Sequence, residues 1–105
     1  MVIVETSVFT RRVMAILTDD EYRELQGFVA THPDAGDTIP GSHGLRKLRW
    51  RSSSKGKRGG TRIIYYWLKA RDTVLMLFAY KKNERSDLTK DQIRTLRGIV
   101  AKELG

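Results

Sequence analysis

The side chains of this chain best suited to chemistry are cationic. Ten of its twenty Lys and Arg residues lie between Arg46 and Arg71, in a stretch with no Asp or Glu. They are Arg46, Lys47, Arg49, Arg51, Lys55, Lys57, Arg58, Arg62, Lys69 and Arg71. The remainder is close to neutral, so the formal net charge of +8 belongs to one segment. A concentrated positive field suits a polyanion, because each phosphate it neutralises releases counterions. A charge run is more often a solvated face, so the case for chemistry rests on what these residues can do together. Arginine grips a phosphate through two parallel hydrogen bonds. A lysine crowded by cations loses its proton more readily and can serve as a general base. Cations also stabilise the charge that develops on a phosphorane. RNA supplies its own nucleophile, the 2′-hydroxyl, so such a set can cleave RNA with neither metal nor histidine.

Other catalytic classes find little support. The chain has no cysteine, hence no thiolate nucleophile and no cysteine-ligated zinc. His32 and His43, its two histidines, do not make a metal centre by themselves. No serine–histidine–carboxylate set or phosphate loop stands at recognisable spacing. The Asp19-Asp20-Glu21 run opens a helix, where capping and the helix dipole account for it. Asp34 and Asp37 flank turns and read as turn formers. The expectation is therefore no cofactor and no metal.

Aromatic residues accompany the cations: Trp50, Tyr65, Tyr66, Trp67 and Tyr80 lie on or at the ends of the basic strands. Unpaired bases stack on such rings, although about half should be ordinary core. Trp50 shares a side with Leu48 and reads as core. Tyr80, followed by Lys81 and Lys82, is the expected stacking residue, and Lys81 an RNA contact.

These residues need a scaffold. At 105 residues, 40% hydrophobic and with nine aromatics, the chain has the size and composition of a single domain over residues 1–105. Met1 to Glu5 reads as a strand. Thr6 to Leu17 puts Phe9, Val13, Ile16 and Leu17 on one helical face. Thr18 and Glu21 form a capping box for a second helix carrying Tyr22, Leu25, Phe28 and Val29 inward. Gly36, Pro40, Gly41 and Gly44 mark a loop region. From Gly44 to Arg51 the period becomes two, with Lys47, Arg49 and Arg51 on one side and Leu48 and Trp50 on the other. Ser52 to Gly60 is a basic loop without an apolar residue. Arg62 to Leu68 and Val74 to Tyr80 are apolar on both faces and read as central strands, joined by an Ala70-Arg71-Asp72 turn in a hairpin. Thr89 and Gln92 cap a last helix striped with Ile93, Leu96, Ile99, Val100 and Leu104. The order β-α-α-β-β-β-α predicts an α+β fold: an antiparallel-dominated sheet, helices covering one face and Lys47 and Arg49 on the other. No apolar run is long enough to span a bilayer and no signal peptide is apparent, so a soluble cytoplasmic protein without membrane contact is expected.

The succession GLRKLR, SKGKRGGTRIIYYWL and LFAYKKNERSDLT resembles the RelE superfamily of bacterial toxins, within it the HigB-like branch, over nearly the whole chain. The most specific parts are the basic loop followed by G-[ST]-R-I-I-Y-Y and, one hairpin later, Y-x-K-N-E-x-S-D-L. The resemblance implies the toxin of a type II toxin–antitoxin pair. Such a toxin is a ribosome-dependent mRNA endonuclease that cuts the A-site codon by 2′-hydroxyl attack, leaving a 2′,3′-cyclic phosphate and a 5′-hydroxyl. Its partners would be the ribosome, mRNA and an adjacently encoded, HigA-like antitoxin. By position, Arg62 matches the arginine of the G-x-R-aliphatic-aliphatic-Tyr motif and should hold the scissile phosphate. Lys47 or Arg49, or Lys55 or Lys57 in the loop, would act as base or steady the nucleophile. Lys82 lies near the basic residue that follows the last strand in the family, a candidate for the acid or for charge stabilisation. Arg46, Arg51, Lys55, Arg58 and Lys81 would contact RNA. The family's base-stacking tyrosine, which follows its R-S-E motif, is replaced here by Thr89, leaving Tyr80 as the substitute. Two other readings use the same basic surface: a non-catalytic RNA- or ribosome-binding module, and an interaction protein holding an acidic partner segment.

Overall fold

The computed structural model describes residues 1–51, 60–85 and 87–104. Strand β1 (Val2–Glu5) leads into helices α1 (Ser7–Ile16) and α2 (Asp19–Thr31). A two-residue strand β2 (Asp37–Thr38) precedes β3 (Arg46–Trp50), β4 (Thr61–Leu68) and β5 (Thr73–Lys81), and α3 (Lys90–Leu104) follows. The architecture is the α+β one expected, with each predicted strand and helix present within a few residues of its expected bounds.

Local chemistry explains the helix boundaries. Thr6 accepts a hydrogen bond from the Phe9 N–H and starts α1. Thr18 and Glu21 make the reciprocal capping box of α2, and Thr89 and Gln92 make that of α3. The hairpin between β4 and β5 turns through a 3₁₀ turn at Lys69–Arg71, with Asp72 in the left-handed region at φ 48°.

The five strands form one sheet in the order β1-β5-β4-β3-β2. β1 runs parallel to β5 and every other pairing is antiparallel. β2 had no signal in the sequence. It consists of two exposed residues whose only strand character is pairing with Lys47 and Arg46. Gly60 leads into β4 at φ 65°, and a Cβ there would lie 2.7 Å from the Trp50 carbonyl oxygen, so only glycine fits this close approach.

The core is double. On one face, Phe9 and Val13 of α1 and Leu25 and Val29 of α2 pack on Leu48, Ile63, Tyr65, Val74, Met76 and Ala79. On the other, Leu96 and Val100 of α3 pack on Leu45, Ile64, Leu75, Leu77 and Tyr80. This corrects the expectation that all helices share one face. β4 and β5 are apolar on both sides because both sides are covered, and the cations occupy the part of the second face that α3 leaves open.

A bulge in β5 sets where they sit. Ile64 pairs with Phe78 but Tyr65 pairs with Met76, so Leu77 is the extra residue. Leu77 and Phe78 consequently face the same side, that of α3, while Met76 and Ala79 face α1 and α2. Tyr80 is thereby brought onto the cationic face.

Candidate RNA-binding and catalytic site

The site is built on strand register. Arg49 of β3 stands opposite Arg62 of β4, and Arg62 stands opposite Tyr80 of β5. Lys47 lies one pleat away on the same face, opposite Ile64. The alternation read from the sequence thus places Lys47, Arg49 and Arg62 together. Two arginines directly opposite one another repel, and a sheet gains nothing from the pair unless an anion joins it. Arg49 is exposed, whereas Arg62, on the central strand, keeps only 8% of its surface.

Two residues missed in the sequence complete the arrangement. Arg85, in the segment after β5, returns over the strand so that its guanidinium lies 5.8 Å from the Tyr80 ring centroid and 5.5 Å from that of Phe78. Its Nε is buried without a hydrogen-bond partner. Asp87 enters the same region: Lys47 Nζ donates to its Oδ1 at 2.7 Å. That hydrogen bond, the Lys47 charge and the charge of Arg62 hold the Asp87 carboxyl below its usual range. Arg85 was legible in part, since it belongs to the Y-x-K-N-E-x-S-D-L segment. Asp87 is that segment's own aspartate, but nothing local signals its partner forty residues away.

Tyr80 departs from its expected role. It is fully buried in the α3-side core, and Arg85 folds over its ring, so no face is open for a base to stack on. Its hydroxyl is buried without a hydrogen-bond partner. Burial raises the phenol pKa, while Lys47, Arg62 and Arg85 pull against that rise. Arg46, expected to contact RNA, has a structural part as well. Its guanidinium donates to the carbonyls of Asp34 (3.0 Å) and Gly36 (2.7 Å) and so braces the loop before β2. Trp50 packs against the α1–α2 core and against Phe28, as read. Arg51 is exposed just past β3, Lys81 is half-buried at the end of β5, and Lys82 is exposed in the following turn. Lys55, Lys57 and Arg58 lie outside the described residues.

Among the described residues no group of three or more His, Cys, Asp or Glu is arranged to hold a metal ion. No helix among them is long and apolar enough to cross a membrane.

The architecture that carries this site is the RelE-like α+β fold. Among solved structures it is similar to the E. coli toxin RelE, in a double arginine-to-alanine mutant in the free state. The TM-score is 0.59 at 13% identity, over 81% of this chain and 86% of that one. No family model matches the sequence.

Proposed function

We propose that this chain is the toxin of a type II toxin–antitoxin pair, of the RelE superfamily and its HigB-like branch, and that it acts as a ribosome-dependent mRNA endonuclease. The observation that carries the reading is the row of Arg49, Arg62 and Tyr80 across the sheet, with Lys47 beside it and Arg85 above. This is a preformed cradle of cations, rigid because it stands on strands.

In the reaction the 2′-oxygen attacks the adjacent phosphorus and gives up its proton to a base. The 5′-oxygen of the next nucleotide leaves and takes a proton, so the products are a 2′,3′-cyclic phosphate and a 5′-hydroxyl. Arg62 and Arg49 would hold the non-bridging oxygens as charge builds on them. Lys47, or Lys57 of the loop, would act at the nucleophile, and Lys82 at the leaving oxygen. The net charge of +8 suits both the ribosome and an acidic antitoxin segment.

Induced expression in bacteria tests this. Growth should stop, with mRNA cut inside reading frames and cyclic phosphates at the new 3′ ends. Arg62→Lys should keep the fold by thermal melting but lose most cleavage, because an ammonium cannot make the two-point grip. Arrest with intact mRNA would instead favour a non-catalytic RNA- or ribosome-binding module.

A further inference from the structure

A second cationic cleft lies beyond β5, on the side away from Lys47. The pairing of β1 with β5 ends at Glu5 and Met76, which leaves the outer edge of β5 to α1. Thr6 Oγ1 donates to the Leu77 carbonyl at 3.1 Å, and Arg12 Nε donates to that of Ala79. Here Arg11, Arg12 and Lys81 line a cleft of about 360 Å³ with Ala15, Ile16 and Glu84. Three cations thus share one acid, and that acid already serves Arg12 (2.7 Å) and the Lys81 N–H (3.0 Å). Arg11 is exposed and makes no ion pair with any described residue.

The cleft is continuous with the site already described. The Arg12 guanidinium lies 4.9 Å from the Phe78 ring centroid, and that of Arg85 lies 5.5 Å from the same centroid and 5.8 Å from that of Tyr80. Arg49, Arg62 and Tyr80 thus form a row across β3, β4 and β5, and Arg85, Phe78 and Arg12 extend it from Tyr80 toward the cleft. β3 and β5 are two strand spacings apart, about 10 Å, and α1 lies farther still. Arg62 stands on β4, one spacing nearer, and the cleft opens at the far edge of β5, so the arginine pair and the cleft are separate places for an anion.

We propose that the Arg11–Arg12–Lys81 cleft is a second phosphate site, holding a backbone phosphate of the same RNA strand whose scissile phosphate lies on Arg49 and Arg62; this rests on the RNA-cleaving reading. Such a site fixes the direction in which the strand crosses the sheet and sets the shortest RNA that binds fully.

The test is equilibrium binding of the full-length protein to uncleavable 2′-O-methyl oligoribonucleotides, a dinucleotide and a hexanucleotide, at several salt concentrations. Each phosphate contact on a single strand adds about 0.7 to the slope of log K against log salt. The slope should rise by at least that amount from the dinucleotide to the hexanucleotide. Arg11→Gln combined with Lys81→Gln should remove the rise, and Arg11→Gln alone, at an exposed position, should reduce it. A hexanucleotide slope that both variants leave at the wild-type value overturns this site alone. A wild-type protein that binds neither oligomer, and cuts no mRNA in cells, overturns the RNA-cleaving reading as well.

Discussion

Asp87 is the residue whose presence is hardest to reconcile with a plain phosphate site. A carboxylate beside Lys47 and Arg62 repels the substrate that those cations attract, yet it holds Lys47 at 2.7 Å. It is exposed and therefore displaceable, and an arriving phosphate would compete with it for the lysine. Asp87→Asn should accordingly tighten RNA binding several-fold, measured with an uncleavable oligonucleotide. Weaker binding would mean instead that Asp87 holds Lys47 in its working position. At this scale the sequence disclosed the cations on β3 and β4, because strict alternation fixes their side. It did not disclose Arg85 or Asp87 as members of the site, since the segment after β5 has no period from which direction can be read. Tyr80 was misjudged for a related reason: a strand-end tyrosine looks exposed until a later residue is found folded over it.

Elements explain what single residues leave open. α2 and α3 were legible from their caps, which are local chemistry, and α1 from its apolar spacing. Which sheet face each helix covers was not, since an apolar stripe shows which side of a helix is buried and not against what. The signal lay in β4 and β5, whose apolar residues on both sides already required cover on both sides. α3 supplies that cover, and Leu96→Ala, at a side chain 7% exposed, should cost about 2–5 kcal/mol in denaturant unfolding. The segment before β2 depends on Tyr65, whose hydroxyl donates to the Pro33 carbonyl at 2.8 Å and accepts from the Gly36 N–H at 2.9 Å. Tyr65→Phe leaves both groups without that partner and should cost about 1–3 kcal/mol by the same measurement. It should also loosen β2, read as faster amide exchange at Thr38.

For the whole molecule, charge links stability to pH. Glu84 accepts from the Lys81 N–H and from Arg12, and these hold its carboxyl below its ordinary value of 4.5. Asp87 is lowered by Lys47. A carboxyl whose pKa is depressed by folding contributes stability above its unfolded pKa, and that contribution is lost as pH falls through the folded value. Thermal midpoints should therefore hold near neutrality and drop below about pH 4.5. Glu84→Gln should flatten part of that drop while lowering the midpoint at pH 7. A variant with the wild-type pH profile would show that Glu84 takes no part.

The parallel pairing of β1 with β5 has a kinetic consequence. Val2 meets Thr73 and Glu5 meets Met76, so the first strand of the chain finds its partner only after some seventy intervening residues are available. Such long-range closure is slow compared with forming the hairpin between β4 and β5. The hairpin can carry Arg62 and Tyr80 into register early, but α1 reaches the β5 edge only when β1 docks. During synthesis, then, the two ends of the cation row mature at different times: the Arg62 end with the hairpin, and the Arg12 end with the closing of the sheet.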